Sequence, residues 1–125
     1  MRAYTVATAA VTLRVPAKWI DNVLSHNVVP GVAGSRQGVA RRLTPQGILN
    51  LEVAIRLRDA LSVPVARALE LAATVVRDKG DMPAGKGITL TLDIEMIQAD
   101  LAVRLAHAVE IAPLPRRGRP AKGRS

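Results

Sequence analysis

The chain has no cysteine, which excludes both disulfides and thiolate metal centres and permits a reducing compartment. Aromatic residues are nearly missing too, with no phenylalanine, one tyrosine and one tryptophan. Stacking on a base would therefore fall to Trp19, but its spacing with Ile20, Val23 and Leu24 favours a place in a core. The two histidines, His26 and His107, are far apart with no ligand-like spacing, so no metal site is expected. Long apolar runs are also missing. The longest uncharged stretch, residues 22–35, contains Asn, Ser, His, Pro and Gly and is shorter than the ~20 apolar residues of a membrane span. Residues 5–13 follow Arg2 but are rich in Thr, lack a clear processing site and merge into an amphipathic pattern, so they are read as structure rather than as a leader. A soluble protein with no membrane partner is expected.

Acidic residues are few, 10 against 18 lysines and arginines in 125 residues, and the imbalance is local. Residues 113–125 carry Arg116, Arg117, Arg119, Lys122 and Arg124 and no acid; without those five the body has 13 basic and 10 acidic residues, a surplus of only +3. The other cations gather at Arg36, Arg41 and Arg42 and at Arg56 and Arg58. Positive charge concentrated in this way favours nucleic acid as a partner. The last thirteen residues are too polar and too rich in Pro and Gly to bury a core, and are predicted to form a disordered basic arm. Within it, Gly118-Arg119-Pro120 flanked by basic residues resembles an AT-hook, which implies arginine lying in the narrow minor groove of A·T-rich DNA. The plainer alternative is a solubilising terminus.

The chain length suits a small domain around one core. Tyr4-Thr5 opens a first helix with Thr5 as N-cap and Val6, Ala9, Ala10 and Leu13 on one face. Pro16 starts a second, with Trp19, Ile20, Val23 and Leu24 on one side and Ala17, Lys18, Asp21, Asn22 and Ser25 on the other. Two short helices across a tight turn fit a helix-turn-helix whose second helix is free to enter a groove. The extended ends at residues 28–30 and 39–43, around Gly31, Gly34 and Gly38, suggest a hairpin wing displaying Arg36, Gln37, Arg41 and Arg42. Thr44-Pro45 begins a third helix with Ile48, Leu51, Ala54, Ile55, Leu57 and Leu61 inside, and Pro64 a fourth that ends near Lys79-Gly80. Residues 80–87 are predicted as a linker. Residues 88–94 alternate Ile88, Leu90, Leu92 and Ile94 with Thr89, Thr91 and Asp93, a strand pattern, and a last helix runs to Ile111. The fold class is thus mainly α: a winged helix-turn-helix over residues 1–79, then a strand-helix dimerisation segment over 88–112 and the basic tail over 113–125.

The order Tyr4-Thr5-Val6, Ala9-Ala10, Val15, Ile20, Val28-Val29-Pro30, Arg41-Arg42-Leu43-Thr44 and then Ile55-Arg56-Leu57-Arg58-Asp59-Ala60-Leu61-Ser62-Val63 resembles the DNA-binding domain of MerR-type regulators over about residues 2–76. That resemblance implies a winged helix-turn-helix that binds promoter DNA as a dimer, with Lys18, Asp21 and Asn22 towards the major groove and Arg41 and Arg42 on the returning wing strand. The chain departs from the family at Asp21-Asn22-Val23, where an Arg-Tyr-Tyr run is usual, and lacks the family's long dimerisation helix and effector domain.

Other chemistry fits poorly. Residues 80–87 nearly spell a phosphate-binding loop, but a helix precedes, a strand follows and Gly87 stands at the hydroxyl position. Ser25 beside His26 is the only adjacent nucleophile and base, and neighbours on a helix point apart. No catalysis and no cofactor are expected. The expected DNA-contacting residues are Lys18, Asn22, Arg36, Gln37, Arg41, Arg42, Arg116, Arg117, Arg119, Lys122 and Arg124. Double-stranded DNA is the expected partner of a cytoplasmic, nucleoid-associated transcriptional regulator. An antitoxin-like autoregulator binding a toxin through its C-terminal strand and helix, and a nucleoid-associated protein of A·T-rich DNA, stand as alternatives. Because the strand at 88–94 has no neighbour in sequence, it is expected to pair with its copy in a homodimer, supported by packing of the last helices, with a proline at Leu92 breaking the contact.

Overall fold

The structure, a computed structural model, describes residues 2–33 and 40–112. They are mainly helical, in the order β1 (Tyr4–Thr5), α1 (Val6–Leu13), α2 (Ala17–His26), β2 (Val32–Ala33), β3 (Arg42–Leu43), α3 (Pro45–Leu61), α4 (Val65–Arg77), β4 (Asp81–Gly85), β5 (Ile88–Thr91) and α5 (Ile94–Ile111). The expectations for Arg36 and Gln37, and for the tail with Arg116, Arg117, Arg119, Lys122 and Arg124, lie outside the described residues.

Thr5 has extended backbone and its Oγ1 accepts the Thr8 N–H at 3.1 Å, so it caps α1 as its sequence position predicts. The two residues read as the opening of that helix are instead a strand: Tyr4 pairs with Leu43 and Thr5 with Arg42. β3 lies in the middle of a three-stranded antiparallel sheet, with β1 on one side and β2 on the other. Between α1 and α2 the chain reverses at Arg14, whose φ of 59° is left-handed. A side chain there costs roughly 1 kcal/mol, and the turn is closed by the Val15 N–H on Ala10 O at 3.1 Å.

The central element is α3. Thr44 caps it and residues 47–54 are buried in succession, because α1, α4 and α5 all pack on it. A helix enclosed on this many sides has no polar face to spare. It therefore carries Asn50 and Glu52 into the interior, at 2% and 5% exposure. Glu52 is answered by Arg56 Nε at 2.7 Å and Arg104 Nη2 at 2.6 Å; Asp100 meets Arg56 Nη2 at 2.9 Å, and Arg104 Nη1 donates to the Thr12 carbonyl at 3.0 Å. One ion cluster thus joins α1, α3 and α5.

The linker expected at residues 80–87 is corrected by β4, which pairs antiparallel with β5 as Asp81↔Thr91, Met82↔Leu90 and Pro83↔Thr89. Pro83 and Gly85 masked its alternation; Met82 is buried beneath it. β5 therefore has a neighbour within the chain, and the premise of a lone strand falls. Asp93 caps α5 by accepting the Met96 N–H at 3.0 Å. The segment at 88–112 shares one hydrophobic cluster with the preceding helices, in which Ile94, Ile97 and Leu101 join Leu13, Ile48, Leu51 and Val75. Leu61, expected inside, is 50% exposed.

Candidate nucleic-acid interface

α2 is fixed by its inner side, where Ile20, Val23 and Leu24 are buried. The helical period turns the intervening residues outward. Lys18, Asn22, Ser25 and His26 are accordingly exposed and Asp21 is half-buried. Lys18 and Asn22 stand one turn apart on this outer side. Trp19 lies at the boundary, partly buried against the core, with the Arg58 guanidinium 5.5 Å from its ring centroid. That position agrees with the core role its spacing indicates.

β3 presents the two arginines differently. Leu43 is buried and Arg42 is exposed, as alternation along a strand requires. Arg41, just before the strand, turns back to α2: its Nη1 lies 3.2 Å from Asp21 Oδ1 and its Nη2 donates to Ser25 Oγ at 3.2 Å. Two of its donors are thus engaged inside the protein. The anion on α2 is thus answered by its own cation, and Val23 beside it belongs to the core. Sequence reading missed this contact because the partners are twenty positions apart.

Lys18 and Arg42 have no carboxylate partner among the described residues. Arg56 and Arg58, counted in sequence as a second basic cluster, are instead paired with Glu52 and Asp100 and with Asp59. Ser25 Oγ donates to Asp21 O at 2.7 Å and His26 Nδ1 lies 2.9 Å from Asn22 O, so each is bound to its own helix rather than to the other. Among the described residues there is no cluster of three His, Asp or Glu suited to a metal, and no helix is long and apolar enough to cross a membrane. Comparison with protein-family models, curated proteins and solved structures finds no match for this chain.

Proposed function

We propose that the chain is a DNA-binding transcriptional regulator of the winged helix-turn-helix kind, in which α2 enters the major groove, Arg42 meets the backbone and the basic tail adds minor-groove contacts. The observation that carries this reading is the outer side of α2. A short helix, pinned by three apolar residues, presents Lys18 and Asn22 beside a small sheet that exposes Arg42. Lys18 and Asn22 are types that bond base edges, whereas a lone arginine on a strand suits phosphate. The Arg41 contacts to Asp21 and Ser25 support it further by fixing the angle between helix and returning strand. Arg41 thus acts first as a positioning residue in this reading.

Two outcomes follow for duplex DNA. Replacing Arg42 by alanine lowers affinity for all sequences alike, whereas replacing Lys18 or Asn22 changes which sequences are preferred, with about 1–3 kcal/mol at stake for a good base contact. Competition against a randomised site library measures both, and the assignment fails if Arg42→Ala alters preference while the α2 changes do not. Deleting residues 113–125 removes five cations and should flatten log K against log salt by about 0.9 for each phosphate they neutralise. A minor-groove arm loses more affinity on A·T-rich than on G·C-rich flanks when deleted. Equal losses would leave only a general basic terminus, and an unchanged slope would remove the tail from the interface.

A further inference from the structure

β5 has two edges, and among the described residues only one is used. In its register with β4, Leu92 N–H donates to Gly80 O at 2.8 Å. By the alternation of an antiparallel ladder, Leu90 also turns its backbone groups to β4, while Thr89 and Thr91 turn theirs away. The same parity points Asp81 and Pro83 outward on β4. That edge is guarded, because Pro83 has no N–H to offer and Asp81 places a charge on it. β5 carries no such guard: Ile88-Thr89-Leu90-Thr91-Leu92 has no charge, proline or glycine. Thr89 and Thr91 are exposed, Ile88 is 60% exposed, and among the described residues no strand pairs with this edge.

We propose that β5 pairs antiparallel with β5 of a second copy about a two-fold axis at Leu90, forming a four-stranded sheet through two chains. The occupant is argued from self-complementarity. With Thr89 opposite Thr91 of the second copy, and the reverse, the outward backbone groups close four hydrogen bonds. Leu90 then meets its own copy, and Ile88 meets Leu92 on the face where Leu90 and Leu92 already pack against the core. Threonines pair on the other face. A one-residue slip opposes outward groups with inward ones, and a two-residue slip draws in Gly87 of the turn or the helix cap Asp93. The pairing does not depend on the DNA-binding reading and stands if that reading fails.

Light scattering during chromatography of the full chain should give twice 13.3 kDa at micromolar concentration. The proline substitution that discriminates is Thr91→Pro rather than one at Leu92, whose N–H is already bonded to Gly80 O inside the hairpin. Thr91→Pro keeps the hairpin ladder, as Pro83 does on β4, but removes one intermolecular donor from each copy. The dimer dissociation constant should rise about 30-fold. Circular dichroism checks that this variant is folded. Leu90→Cys should cross-link to its copy on oxidation, since directly opposed residues of this kind lie about 4.5 Å apart at Cα, within disulfide reach. Thr89→Cys should not. The chain has no other cysteine to confuse the result. A monomeric wild type overturns the proposal, as does a dimer that a folded Thr91→Pro leaves unchanged or that Leu90→Cys fails to cross-link. Should Thr91→Pro not fold, the cross-link decides alone.

Discussion

Replacing Glu52 by alanine is expected to cost about 3–5 kcal/mol of folding stability, because it strips a buried arginine of its counter-charge. The Glu52 side chain is 6% exposed and that of Arg104 13%, so water screens little of their interaction. Without Glu52, Arg104 keeps only the Thr12 carbonyl at 3.0 Å and Asp100 at 3.5 Å, and Asp100 is half-exposed. For a domain of this size the loss should appear as a fall in Tm of more than about 10 °C. Arg56→Ala provides the contrast: its side chain is 36% exposed and Glu52 retains Arg104, so about 1 kcal/mol or less is expected. Replacing Glu52 by leucine and Arg104 by methionine together should recover most of the loss, since two apolar side chains remove the desolvation cost of both charges. Thermal melting of Glu52→Leu, of Arg104→Met and of the pair gives the coupling directly. An alanine variant within about 1 kcal/mol of wild type, or a double variant as unstable as either single one, would show that the buried pair does not hold α1, α3 and α5 together.

The helices were legible because their signals are local. Thr5 and Thr44 cap α1 and α3 as their residue type favours, Pro64 stands just before α4, and the apolar spacing of Ile20, Val23 and Leu24 identifies the buried side of α2. What was hidden depends on distant partners. β1 is two residues long and exists only because β3 pairs with it. β4 alternates too briefly, through a proline, to be read without β5 beside it. The burial of Glu52 could not be seen in sequence, although Glu52-Arg56 and Asp100-Arg104 both have the four-residue spacing of helical ion pairs.

For the candidate interface the same division holds. Lys18 and Asn22 were identifiable as the outer side of α2 from periodicity, and their exposure follows from it. Arg41 and Arg42 are adjacent and chemically identical, so sequence treats them alike. The strand separates them: one turns to Asp21 and Ser25, the other to solvent. Charge counting erred at Arg56 and Arg58 for a related reason, since a formal surplus does not reveal which cations are already answered by carboxylates.

Gly47→Ala is expected to destabilise by about 3 kcal/mol, opposite in sign to the gain of up to ~1 kcal/mol that alanine gives within an ordinary helix. A Cβ at Gly47 would stand 2.6 Å from the carbonyl oxygen of Gly31 and 2.9 Å from its carbon. Both are backbone atoms, and Gly31 is not free to retreat. Its oxygen accepts the Thr44 N–H at 2.9 Å and Thr44 Oγ1 at 3.0 Å, while that same hydroxyl caps α3 by accepting the Gly47 N–H at 3.3 Å. Moving Gly31 therefore weakens the cap, worth about 1 kcal/mol by itself, together with the entry into β2. Gly31→Ala should be at least as damaging, since its Cβ would press on Gly47 N and its φ of 88° disfavours any side chain. Gly87→Ala is the control: φ is 76° there but nothing lies within 4 Å of the added carbon, so only the backbone cost of roughly 1 kcal/mol applies. The contact also bears on the proposed interface. Gly31 leads into β2, and β2 pairs with the strand that displays Arg42, so a folded Gly47→Ala chain should bind DNA more weakly while the residues of α2 are untouched. Thermal melting of the three glycine variants is the first measurement, and a Gly47→Ala protein as stable as wild type would show that the two segments do not meet as closely as the structure has them.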